Sequence, residues 1–167
     1  MAPTPVFRPT ARLIVLDPGD RALLFSFITA SGRTGWFTPG GGLHKGETLE
    51  AAAVRELAEE TGFAVPEADV GPVVATRGGQ WRAAEKNKIF FGADSFLCVR
   101  VPHTEVSTDG HEALEASVIT GYRWWTADEL RQTTDRITPP SLPDLVSQLL
   151  TSGVPEVPVR LPWRDLA

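Results

Sequence analysis

Three glutamates, Glu56, Glu59 and Glu60, stand at i, i+3 and i+4 in a segment rich in strong helix formers. At 3.6 residues per turn their carboxylates share roughly 100° of a helix circumference. Val54, Leu57 and Ala58 lie to the other side and can face a core. A solvated acidic face alternates sign, whereas Glu56 and Glu60 are like charges one turn apart and repel. Glu59 and Glu60 also fall in the last turn, where the helix dipole favours cations. A bound hard cation accounts for both features. Magnesium or manganese takes oxygen ligands, keeps several waters and bridges carboxylates to substrate phosphates. Such a metal neutralises diphosphate charge and acidifies a bound water that attacks phosphorus, and a nearby carboxylate can accept the proton. Arg55 adjoins the face and can hold a carboxylate in a bidentate pair. Upstream, Gly40, Gly41 and Gly42 allow a close backbone approach that brings a carbonyl toward the metal, with Ala52 and Ala53 leaving room.

Those groups need elements to position them. Residues 48–61 form the clearest helix, with Thr48 as N-cap, Gly62 as left-handed C-cap and Phe63 folding back on the last turn. Residues 12–16 and 23–27 read as strands around the turn at 17–20, and hence as a hairpin. Trp36 to Thr38 is a strand stub stopped by Pro39. Residues 73–77 form a strand, after which Gly78 and Gly79 turn the chain. Residues 89–91 and 95–101 are strand material around Gly92, and 122–125 is a further strand. Thr126 and Glu129 have capping-box spacing. Ser141 opens another helix, with Leu142, Leu145, Val146, Leu149 and Leu150 as its apolar stripe. The tail, with Pro155, Pro158 and Pro162, is extended. The expected fold class is α+β with a mixed sheet, in one domain over 1–167. Its core spans about 8–150, followed by a Pro-rich tail over 151–167.

At 167 residues and 18.1 kDa the chain suits one compact domain. With 42% apolar and 22% charged residues it can bury a core, which excludes a disordered segment. The net charge of −5 argues against a nucleic-acid duplex as partner. Residues 45–62 hold five carboxylates against two cations, so the acidity is concentrated at the glutamate face. No apolar run approaches the ~20 residues that span a bilayer, so no membrane partner is expected. Residues 1–8 lack the layout of a secretory leader, and Cys98 has no second cysteine to pair with. A cytoplasmic location is the expectation.

From Gly41 the spacing reads Gly, five residues, Glu47, seven residues, Arg55-Glu56-Leu57, one residue, Glu59-Glu60, one residue, Gly62-Phe63. This matches the Nudix box at every defined position, so residues 41–63 resemble the Nudix hydrolase family (MutT-like). The likeness extends more weakly over residues 8–150, through Trp36 to Gly42 and Arg123 to Leu130. The resemblance implies a Nudix fold, an α/β/α sandwich with a mixed sheet and a loop–helix–loop catalytic motif. It implies Mg²⁺-dependent (or Mn²⁺-dependent) hydrolysis of the diphosphate linkage in a nucleoside diphosphate derivative, with a small organic diphosphate as partner. Carried over by position, Glu56 and Glu60 are the principal metal ligands, and Glu59 is a further ligand or positions the water. The carbonyl of Gly40 or Gly41 joins them, Arg55 orients the carboxylates, and Glu47 ties loop to helix. Homodimers are common in the family. The alternative is a catalytically inactive Nudix-fold module that senses or binds nucleotides, but such modules generally lose box glutamates. A third reading, isopentenyl diphosphate isomerisation on the same fold, would need a catalytic cysteine where Cys98 is instead core-like.

The general base is either a box glutamate or an acid outside the box. Glu112 and Glu115 lie in a loop before the Tyr122 strand, with Glu115 favoured as a catalytic candidate because the family often places an acid there. For substrate contact the candidates are Trp81 and Arg82, with Lys86 and Lys88 beside them; a solvated hairpin loop is the bland reading of that stretch. Trp36 and Trp124 are expected to fill core or rim space. His44, at a variable position of the box loop, is expected to be solvent-exposed, and His103 and His111 show no metal-binding spacing.

Overall fold

The computed structural model describes residues 4–83 and 88–163, with residues 113–115 described by their backbone alone. Its spine is a long parallel pair. Strand β1 (Val6–Leu16) runs beside β6 (Lys88–Arg100) in unbroken register from Val6↔Phe90 to Leu16↔Arg100. On the far side of β6 lies antiparallel β5 (Val73–Ala83), and the two-residue β9 (Val159–Arg160) adds in parallel outside it. Strand β2 (Ala22–Ile28) pairs with β3 (Thr34–Phe37) and β7 (Gly121–Trp125), while β8 (Arg136–Thr138) borders β3. The short β4 (Gly40–Gly42) lies antiparallel to Thr10–Arg12 of β1.

Alternation along β1 divides the core between two faces, because successive strand side chains point oppositely. Ala11, Leu13 and Val15 pack beneath α1 (Leu49–Thr61) with Ala52, Ala53, Leu57 and Phe63. Ile14 and Leu16 face the other layer. There α3 (Ala127–Gln132) contributes Leu130, and α4 (Leu142–Ser152) contributes Leu142, Leu145, Val146 and Leu149. Leu161, beyond β9, closes the same cluster. Helix–sheet–helix layering with a mixed sheet is the expected α+β arrangement. No described helix is long and apolar enough to cross a membrane.

Local signals held where their partners are close in sequence. Thr48 accepts the Ala51 amide at 3.1 Å, Gly62 adopts φ 79°, and both halves of the Thr126–Glu129 capping box form. Three expectations are corrected. The β1–β2 hairpin closes only at Leu16↔Ala22. Beyond its turn the strands splay, because β1 is claimed by β6 and β4 while β2 is claimed by β3 and β7. Gly78 and Gly79 do not turn the chain; β5 runs straight through them, paired to Ala93 and Gly92 of an equally continuous β6. The segment carrying Glu115 is a short helix, α2 (Ala113–Val118), not a loop.

Candidate active site

The site starts where β4 meets α1. Gly40 sits at φ 134°, a region closed to residues with a Cβ, and an added Cβ would run into the Ala11 carbonyl. That conformation aims the Gly40 amide at helix α1, where it donates to Glu60 Oε2 at 2.7 Å. A Cβ at Gly41 would overlap the Glu56 carboxylate. The glycines are therefore the floor on which two buried carboxylates rest, with Glu56 6% and Glu60 2% exposed.

Arg55 organises the rest. Its Nε donates to Glu47 Oε2 at 2.9 Å and its Nη2 to Glu47 Oε1 at 2.8 Å, a bidentate pair. Nη2 also reaches the Gly42 carbonyl at 3.1 Å, while Nη1 donates to Glu56 Oε1 at 2.9 Å and to Glu59 Oε2 at 3.4 Å. The Arg55 hydrogen bonds, seconded by the His44 amide, hold the Glu47 carboxyl down to about 2. In return, Glu47 pushes the Arg55 guanidinium above its ordinary value. One side chain thus ties loop, strand and helix together around Glu56 and leaves Glu59 half-exposed.

The C-terminal end of α1 has a feature that the sequence did not reveal. His111 Nε2 donates to the Glu60 carbonyl at 2.7 Å, and the Ser107 amide donates to the Thr61 carbonyl at 2.9 Å. Those carbonyls have no partner within the helix, so the 107–111 loop holds the turn that carries Glu59 and Glu60. No local pattern signals this, because the partner lies 51 positions away.

The donor set suits a hard cation, since every group is an oxygen. Among the described residues no three carboxylate, imidazole or thiolate groups converge as a closed cage. Magnesium does not require one: it binds through one or two carboxylates and fills its sphere with water and phosphate oxygens. Two buried carboxylates over a glycine floor therefore fit such an ion. The Gly40 carbonyl, an expected ligand, accepts from Arg12 Nη1 at 3.2 Å, and the Gly40 amide holds Glu60.

Arg12 links this centre to a trough on the opposite sheet face. One compartment, of about 860 Å³, is lined by Arg8, Thr10, Arg12, Arg77, Trp81 and Phe90 among others. A smaller one, of about 290 Å³, shares Arg12 and Arg77 and adds Phe27, Phe37 and Phe96. Arg8 and Arg12 form no ion pair among the described residues, whereas Arg77 is held by Asp94 at 2.9 Å. Trp81, the substrate-contact candidate, lines this trough. Arg82, one position on, points to the other face and is not part of it, and Lys88 does not line it either. The cations that do are Arg8, Arg12 and Arg77. Lys86 and the side chain of Glu115 lie outside the described residues, and Glu112 is exposed just before α2. Cys98 is partly buried under the α4 layer, and its thiol is pushed up by burial, as for a core residue. Trp36 packs edge-on against buried Trp125.

Known proteins resemble this chain in sequence and in fold. The sequence model of the NUDIX domain matches residues 6–145. An RNA pyrophosphohydrolase of Novosphingobium aromaticivorans is 26% identical over 160 residues, covering 84% of this chain and 83% of that protein. Among solved structures, the MutT protein of Bacillus halodurans superposes with a TM-score of 0.61 at 18% identity, covering 95% of this chain and 91% of the other. The NUDIX domain of Shewanella oneidensis NrtR, solved with ADP ribose, gives 0.59 at 18% identity over 89% and 90% of the two chains. The chain belongs to the Nudix family and, as an enzyme, to its pyrophosphohydrolases. Members of this class generally work with a divalent metal.

Proposed function

We propose that the protein is a Mg²⁺-dependent hydrolase of a nucleoside diphosphate derivative, cleaving a phosphoanhydride by attack of water on phosphorus. The observation that carries this is the Glu56–Glu60 pair, buried on the Gly40–Gly41 floor and joined through Arg12 to a cationic, aromatic trough. Glu56 and Glu60 would hold the ion, which supplies charge neutralisation and an acidified water.

The chain's own groups do the rest. Arg55 fixes Glu56 and holds the more exposed Glu59 only by the longer 3.4 Å contact, so that Glu59 takes a proton from the attacking water or joins the ion's ligands. Glu115, at the start of α2, is the alternative proton acceptor. Arg8 and Arg12, without carboxylate partners among the described residues, attract the phosphates and orient them toward the Gly40 loop. Trp81, 41% exposed on the trough wall, contacts the organic part of the substrate. The substrate belongs to the cytoplasmic pool of soluble nucleotides. The candidate panel is nucleoside triphosphates, nucleotide sugars, ADP-ribose and dinucleoside polyphosphates, to which the relative named as an RNA pyrophosphohydrolase adds RNA.

The test is product analysis over that panel with Mg²⁺ present, using a coupled phosphatase where the product is not free phosphate. Metal-dependent turnover of one class establishes the reading and names the substrate. Tight nucleotide binding without turnover of any compound would favour a binding module instead.

A further inference from the structure

The trough face of the β5–β6 ladder shows an uncommon sequence of cross-strand pairs. Arg77 faces Asp94, Gly79 faces Gly92, and Trp81 faces Phe90, all on one side of the sheet. Two opposed glycines inside a sheet weaken it and mark the close approach of something else. Here that something is the chain's own C-terminal segment. The indole of Trp163 lies over both glycines: a Cβ at Gly79 would overlap its five-membered ring, and one at Gly92 would come within 2.6 Å of its far edge.

Around this indole the side chains form a continuous pile. Arg8 Cζ stands 5.0 Å over Phe90, and Phe90 stacks on Trp81 at 5.2 Å and 22°. Trp81 stacks on Trp163 at 5.9 Å and 25°, and Arg77 Cζ lies 5.4 Å over Trp163. A nucleobase can stack here only by taking the place of a member. Phe90 is 5% exposed on a central strand, and Arg77 is fixed by Asp94. Trp163 differs. Its segment is tied to β5 as far as the Leu161 amide, which donates to the Thr76 carbonyl at 2.8 Å, and Pro162 then has no amide hydrogen to donate.

We propose that Trp163 occupies the seat of the substrate's nucleobase and is displaced when a nucleotide binds. This deepens the hydrolase reading above and rests on it. The slot has the shape a planar heteroaromatic ring needs: a glycine floor, the Trp81 face on one side and the Arg77 guanidinium on the other. Among the described residues Arg8 and Arg12 beside it have no ion-pair partner, a charge that an indole leaves unanswered and a nucleotide's phosphates would satisfy. The C-terminal segment is accordingly a competitor built into the chain, and it lowers affinity for ligands that carry a base while leaving base-free diphosphates unaffected.

The experiment is calorimetric titration of AMP and of inorganic pyrophosphate, without added metal, into the full chain, W163A, and a variant lacking residues 162–167. In both variants AMP should bind about fivefold or more tightly than in the parent, the factor that one stacking contact is worth, and pyrophosphate should bind as before. AMP affinity that is unchanged or weaker in both variants overturns the proposal, as does an equal gain for pyrophosphate. Either variant alone suffices if the other does not fold. The hydrolase reading is judged separately, by turnover of the full chain over the substrate panel: turnover with no AMP gain defeats only the Trp163 seat.

Discussion

The backbone amide of Gly40 donates to Glu60 Oε2 at 2.7 Å, joining a strand end to the last turn of a helix. Glycine is required at that end because φ is 134° and any Cβ would meet the Ala11 carbonyl. The same loop, through the Gly40 carbonyl, anchors Arg12 of the trough. The buried carboxylates and the trough are thus joined through a single residue, Gly40, and the expectations below follow from that connection.

Gly41→Ala is expected to separate folding from activity. The added methyl would press on the Glu56 carboxylate rather than on backbone, so the carboxylate must move. Turnover should fall by about tenfold or more, because a displaced positioning group is that costly, while the melting temperature shifts by only a few degrees. Steady-state kinetics beside a thermal melt checks both halves.

Arg55→Lys is not conservative here, since lysine cannot make the bidentate contact with Glu47 while also reaching Glu56 and the Gly42 carbonyl. A loss of about 2 kcal/mol in stability is expected, the scale of hydrogen bonds to charged groups, together with a marked fall in kcat. Urea unfolding of both proteins measures the first and kinetics the second.

The Glu47 carboxyl, held down to about 2 chiefly by Arg55, sets a pH signature. Its folded pKa lies below its unfolded value, so its contribution to stability is complete above the unfolded pKa of about 4.3. That contribution is lost as pH falls from there through about 2. Melting temperatures recorded between pH 6 and 2 should therefore drop more steeply for the wild type than for Glu47→Gln. Parallel curves would contradict the assignment.

His111→Ala removes the donor to the Glu60 carbonyl and leaves the last turn of α1 with an open acceptor. A stability loss of about 1 kcal/mol is expected, as for an ordinary hydrogen bond. Turnover should also fall, because Glu59 and Glu60 sit on that turn. Amide hydrogen exchange in residues 58–62 should speed up in the variant.

The glutamate motif was legible because its parts are close in sequence. Helix spacing, the Thr48 cap and the Gly62 cap act within a few residues, and Arg55 meets Glu56 and Glu59 on its own helix. What escaped depends on distant pairing. Gly78 and Gly79 look like a turn in isolation, and only the register with Gly92 and Ala93 shows them as strand. Arg82 sits beside Trp81 in sequence, yet strand alternation sends it to the other face. Arg8 and Arg12 gain their place in the trough from a parallel partner more than eighty positions away. Trp163 and His111 carried no local signal, because each is defined by the backbone it covers elsewhere in the chain.

The most direct test of the central claim is the rate of phosphoanhydride hydrolysis as a function of Mg²⁺ for the wild type and Glu60→Gln, on the best substrate of the panel. The account predicts saturable dependence on the metal, loss of activity with chelator, and a fall of about a hundredfold or more in the variant, the scale of a lost catalytic group. Turnover that persists in chelator, or survives Glu60→Gln undiminished, would contradict it.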